Sequence, residues 1–140
     1  MSRFTPAEIE YLNSQRLGRL ATVNAKGDPH VVPVGFRYNP ETDTIDIGGH
    51  NFAKSKKYRE AINHGRVTFV VDDVLPPWRP RFIEIRGTVA AFNEGGEAIG
   101  PGFDPEFIRI TPTYIVSMIQ DNDLRQAGVN DIKINSRKVE

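Results

Sequence analysis

The 140-residue chain contains no cysteine. Disulfides, thiol nucleophiles and thiolate metal sites are thereby excluded, which suits a reducing compartment. Neither sign of charge is in excess, since 18 Lys and Arg balance 18 Asp and Glu. A general nucleic-acid or membrane-surface role usually brings a basic surplus, so neither partner is expected. No apolar run approaches the length needed to cross a bilayer, and the opening MSRFTPAEIE has no apolar signal core. The expectation is a soluble, cytoplasmic protein. The three histidines do not stand at metal-ligand spacing, so no metal is expected. The chain has no phosphate loop of the Walker type, and no G-x-G-x-x-G opens a helix. Internal repeats and low-complexity stretches are also missing. The length fits one domain with one core over 1–140, with no assignment made for the segment from about 121.

What is present reads mainly as strands. Thr5-Pro6-Ala7-Glu8 has the form of a capping box, and a short helix should follow with Ile9, Leu12 and Leu17 inward. LGRLATVNAKGDPHVVPVGFRY predicts two strands around a turn at Asn24 to Asp28. Pro33 interrupts the second of these; lacking an N–H, it belongs at an edge, a bulge or a ligand-facing gap. Thr44 to Ile47 predicts a third strand and RVTFVVDD a fourth, with VLPPWRP as a loop. RFIEIRGTVAAF predicts a long fifth strand, bulged or bent at Gly87. FIRI and TYIVSMI predict two further short strands. Between the third and fourth strands, residues 55 to 63 predict a second helix, ended by His64 and a left-handed Gly65. Six or seven strands on short turns, with two helices, predict a small antiparallel β-barrel.

One stretch carries chemistry. HNFAKSKKY places three lysines within four positions, just after Gly48-Gly49 and at the start of the second helix. A helix N-terminus carries partial positive charge, so each lysine there costs roughly 0.3–1 kcal/mol. A bound anion would offset that cost. Backbone N–H donors, a hydroxyl and cations around one point suit a phosphate. The adjoining VVPVG and IGG strands offer apolar surface and open backbone, so the phosphate should belong to a larger ligand. A solvated helix face is the competing reading. His64 is read as an exposed helix-end residue and His30 as a strand-surface residue. His50 is the histidine beside the unusual loop.

RLATVNAKGDPHVVPVGF, IDIGGHNFAKSKKYREAINHGRVTFVVDD, PRFIEIRGTVAAF and IRITPTYIVS, in that order, resemble the pyridoxamine-phosphate-oxidase-like split barrels. Within them the chain is similar to the small deazaflavin (coenzyme F420)-dependent oxidoreductases. The resemblance runs from about residue 15 to residue 117. It implies an antiparallel, Greek-key-like split β-barrel of the FMN-binding type. It also implies a homodimer with flavin-like cofactors in clefts at the subunit interface. A family motif of a serine and two basic residues that holds the phosphate falls on Ser55, Lys56 and Lys57. The strand along the ring edge corresponds to Val32, Pro33 and Val34. The turn that meets the ring corresponds to Gly48 and Gly49, and less closely to His50.

The chain also departs from the vitamin B6 oxidases. Phe82 stands where they carry a glutamine, the single tryptophan is Trp78, and the last residues hold no histidine. The resemblance therefore implies F420 as cofactor, with FMN as the alternative. It implies hydride transfer to an unsaturated organic substrate. No catalytic side chain is assigned, because solvent or His50 can supply the proton. A non-enzymatic flavin- or deazaflavin-binding protein is the rival from another class.

Overall fold

A computed structural model of the chain describes residues 1–119 and 133–140. Helix α1 (Pro6–Ser14) opens on the expected capping box. Thr5 Oγ1 accepts from Glu8 N at 3.2 Å, and Glu8 Oε1 accepts from Thr5 N at 2.8 Å. Leu12 and Tyr11 are buried and Ile9 is half-buried against the core. Leu17 lies beyond the helix, at the start of β1 (Leu17–Val23), and is exposed. It pairs with Gly35 there, so the inward position expected of it in the helix is replaced by an exposed strand end.

β1 is followed by β2 (Pro29–Asn39) and β3 (Thr44–Gly48). Helix α2 (Lys56–His64) comes next, ended by Gly65 at φ 84 as the sequence predicts. Then come β4 (Arg66–Leu75), β5 (Arg79–Phe92), β6 (Phe107–Met118) and β7 (Asn135–Lys138). The sheet order is β3-β2-β1-β4-β5-β6-β7, and β3 also pairs with β6, which closes β1 to β6 into an antiparallel barrel. β4 returns beside β1 after the β1-β2-β3 meander, a Greek key. Fully buried Leu20, Ile45, Ile47, Phe69, Ile83, Ile85, Ile108, Ile110 and Ile115 fill the interior.

Two expectations change. VLPPWRP is mostly strand, because Val74 and Leu75 pair with Pro80 and Arg79, leaving 76–78 as the turn. FIRI and TYIVSMI form one strand rather than two. Pro112 sits opposite Gly87, where the register of β5 and β6 slips between Arg86 and Gly87. A bulge already lacks regular ladder bonds, so a proline there breaks nothing. The segment from about 121, left unassigned from sequence, lies outside the described residues apart from β7 and its neighbours.

Candidate functional site at the start of the second helix

β3 stops at Gly48, opposite Gly35. Among the described residues, the preceding part of β2, Pro29 to Val34, pairs only with β1. Val32, Pro33 and Val34 thus lie on a strand with one unpartnered backbone edge. Val34 is buried in the core, Val32 is half-buried and Pro33 is exposed. Alternation along the strand puts His30 and Val32 on one face.

After Gly48 the chain turns through Gly49, His50 and Asn51. Asn51 takes the left-handed conformation at φ 51, which asparagine tolerates better than most residues. A short 3-10 turn (Phe52–Lys54) leads into α2. Fully buried Phe52 anchors this connection, its ring 5.4 Å from that of Tyr58. The chain itself covers part of the glycine floor. A Cβ on Gly35 would meet Phe103 Cζ at 2.6 Å, and one on Gly48 would meet Ile99 Cδ1 at 3.2 Å. Gly49 is more open, with Phe52 Cδ1 at 3.8 Å as its neighbour. Exposed His50 places its ring 6.0 Å from that of Phe103.

Ser55 is the N-cap of α2. Its Oγ accepts from Tyr58 N at 3.3 Å and donates to Phe52 O at 2.6 Å. The amides of Lys56 and Lys57, at the first two helical positions, have no acceptor within the helix. The first turn contains no acidic residue to offset the helix dipole. Lys57 Nζ stands 5.8 Å from the Phe52 ring centroid. Lys56 and Lys57, together with Thr22, His30, Val32 and Glu60, line a cavity of about 220 Å³. Lys56 also borders a second cavity of about 380 Å³, shared with Arg59, Asn63 and His64.

Glu60 lies one helical turn beyond Lys56 and is buried beneath the helix. Its Oε1 accepts from Thr22 Oγ1 at 3.0 Å, and His30 Nδ1 lies 2.7 and 3.0 Å from its two oxygens. The His30 hydrogen bond holds the Glu60 carboxyl below its ordinary value despite burial, with help from Thr22 and the charge of Lys56.

The structure therefore brings Val32, Lys56 and Lys57 to one cavity, with Ser55 at its helix cap and Gly49 behind Phe52. His50 and Gly48 lie against Phe103 instead, and the Val34 side chain is buried in the core. Sequence reasoning missed Thr22, His30 and Glu60. The available signals were the two-residue step from His30 to Val32 and the four-residue step from Lys56 to Glu60. Among the described residues, no group of three or more His, Cys, Asp or Glu is placed to hold a metal ion.

Comparison with known proteins sets this geometry in a family. A family model described as pyridoxamine 5'-phosphate oxidase matches residues 4–102. The chain is 45% identical over 123 residues to the 5a,11a-dehydrotetracycline/5a,11a-dehydrooxytetracycline reductase of Streptomyces rimosus, covering 86% of this chain and 87% of that protein. Among solved structures, it is similar to a conserved hypothetical protein of Mycobacterium tuberculosis (TM-score 0.66, 22% identity, 81% of this chain and 84% of that one). It is also similar to an FAD binding protein of Mycobacterium smegmatis (TM-score 0.61, 22% identity, 81% of this chain and 93% of that one). At that identity the structural likeness speaks for the fold. The matched span runs from α1 to beyond β5 and includes the lysine-bearing connection, and the chain belongs to the pyridoxamine 5'-phosphate oxidase family.

Proposed function

We propose that the protein is a reductase that uses a deazaflavin, coenzyme F420, to reduce a carbon–carbon double bond in a conjugated, polycyclic substrate. The observation that carries this reading is the 45% identity, over most of both chains, to a reductase named for dehydrotetracyclines. The site fits a flavin-type cofactor on two counts. Lys56 and Lys57 line one cavity, and their amides, at the first two helical positions, have no acceptor within the helix, a set of groups suited to a phosphate. The unpartnered edge of β2 beside them offers donors and acceptors to the rim of a flat heterocycle. When bound, the reduced cofactor supplies the hydride.

The chain's own part is binding and orientation. Lys56 and Lys57 hold the phosphate with charge-assisted contacts. Ser55 fixes the helix start through its bonds to Phe52 and Tyr58, and so aims the lysine-bearing turn. Val32, Pro33 and Val34 present the ring edge, and Pro33 leaves out one N–H there. Gly49 allows close approach from the next turn, while Gly48 and His50 border the loop that carries Phe103. Saturating a double bond also consumes a proton, and solvent or His50 delivers it.

The test is direct binding followed by turnover. Purified protein is titrated separately with F420 and with FMN, and reduction of 5a,11a-dehydrotetracycline is followed with reduced F420. F420 should bind more tightly than FMN, and the substrate should be consumed. A clear preference for FMN moves the protein to an FMN-dependent reaction on the same fold. Binding without turnover of any conjugated acceptor favours a cofactor carrier, and failure to bind either cofactor overturns the proposal.

A further inference from the structure

The cavity that holds Lys56 and Lys57 also contains a buried negative charge. Glu60 is 7% exposed, yet it shares the cavity wall with both lysines. A carboxylate inside an anion site weakens that site by like-charge repulsion unless something offsets it. The offsetting group is His30, whose Nδ1 lies within 3.0 Å of both Glu60 oxygens. Thr22 donates to Oε1 as well, so the carboxylate is an acceptor throughout and the Nδ1 proton points at it. Nε2 is then the ring nitrogen with no partner among the described residues. In the neutral ring Nε2 is a lone pair, a poor neighbour for a phosphate oxygen. In the protonated ring it becomes an N–H donor.

We propose that His30, clamped by Glu60, is the third cationic group of the Lys56–Lys57 site and couples anion binding there to the uptake of one proton. This rests on the reading that the two lysines meet an anion. Among the described residues, the charged groups that share the cavity wall with His30 are Glu60, Lys56 and Lys57, all from α2; Thr22 of β1 and Val32 of β2 complete the wall without charge. With His30 neutral the wall sums to one positive charge, and with His30 protonated to two. Anion affinity is therefore higher at low pH and falls as the imidazole loses its proton. Reciprocally, a bound anion raises the pH at which that loss occurs.

The probe is inorganic sulfate, whose charge does not change across the range. Wild-type protein is followed by NMR, reading the His30 imidazole and the Lys56 and Lys57 amides from about pH 5.5 to about pH 8.5. Saturating sulfate should raise the His30 titration midpoint by about one unit, equivalent to about tenfold tighter binding to the protonated form. The His50 midpoint should stay where it is. In His30→Asn, which keeps a donor toward Glu60 but never charges, sulfate affinity should be independent of pH. Shifts at the Lys56 and Lys57 amides without movement of the His30 midpoint overturn the proton coupling and leave the anion site standing. The absence of amide shifts at any pH overturns both. The midpoint measurement needs no variant, so it decides even where His30→Asn fails to fold.

Discussion

Lys57 is the residue on which the phosphate assignment turns. Removing its ammonium should weaken F420 binding by about 1.5–3 kcal/mol, the scale of a hydrogen bond to a charged group. The fold should hardly notice. Lys57→Ala gives up a contact over the Phe52 ring, on the order of 1 kcal/mol for a half-buried lysine 5.8 Å from the ring centroid. It also removes a cation from a helix N-terminus, which offsets a similar amount. The check is thermal melting with and without cofactor, where the cofactor-induced rise should shrink in the variant while the apo midpoint stays near wild type. Glu8 behaves differently. Burial pushes its carboxyl up, but Arg137, Ser117 and the Thr5 amide more than offset this and hold it below the ordinary value. Its stabilisation is thus fully present above the unfolded-state value and is lost as pH falls through the lower folded one. Wild type should lose melting temperature on acidification below about pH 4.5, and Glu8→Gln should show a flatter acid limb. Arg137→Met would leave that carboxylate without its cation. It should cost about 2–3 kcal/mol by urea denaturation, discounted from the fully buried case because Arg137 is a quarter exposed.

Among the elements, α1, α2 and the β1–β2 turn were legible because their signals lie within a few residues of each other. The capping box spans Thr5 to Glu8, and the turn is tied by Asn24 Oδ1 accepting from Lys26 N and Asp28 N, both at 2.9 Å. β6 was not legible as one strand. Pro112 reads locally as a break, and only the slip opposite Gly87 makes it harmless. Gly87 is itself required by close approach. A Cβ there would collide with Thr111 O on the neighbouring backbone and stand 2.7 Å from Ile110 Cγ2. Gly87→Ala should therefore destabilise by about 1–3 kcal/mol, seen as a lower urea midpoint with an unchanged slope. The β4–β5 hairpin was misread for a related reason. Its prolines suggest a long loop, yet Pro80 and Arg79 pair with Val74 and Leu75, which leaves 76–78 as the turn.

At the scale of the whole molecule, the hairpin tip matters most. Val74 and Trp78 are exposed there, Trp78 at 74%. A lone chain leaves this apolar tip in water, and a homodimer that buries it is the expectation to be tested. Light scattering at micromolar concentration should give a dimer mass. Trp78 is the single tryptophan, so its emission should shift to longer wavelength on dilution to the monomer. A monomer mass with unchanged emission would count against a shared cleft. By itself the sequence determined β1 to β3 and the centres of β4 and β5, the two helices with their caps, and the crowding of cations at the start of α2. Each of these is written in periodicity or in contacts a few residues apart. The tertiary structure decided the rest. Closure of β3 on β6, the Glu8–Arg137 pair 129 residues apart, Phe103 over Gly35, and His30 on Glu60 depend on which strands become neighbours. That choice is set by burial of one shared core, so the lysines could be read from the chain, while the pairing of the buried acid with a histidine 30 residues away could not.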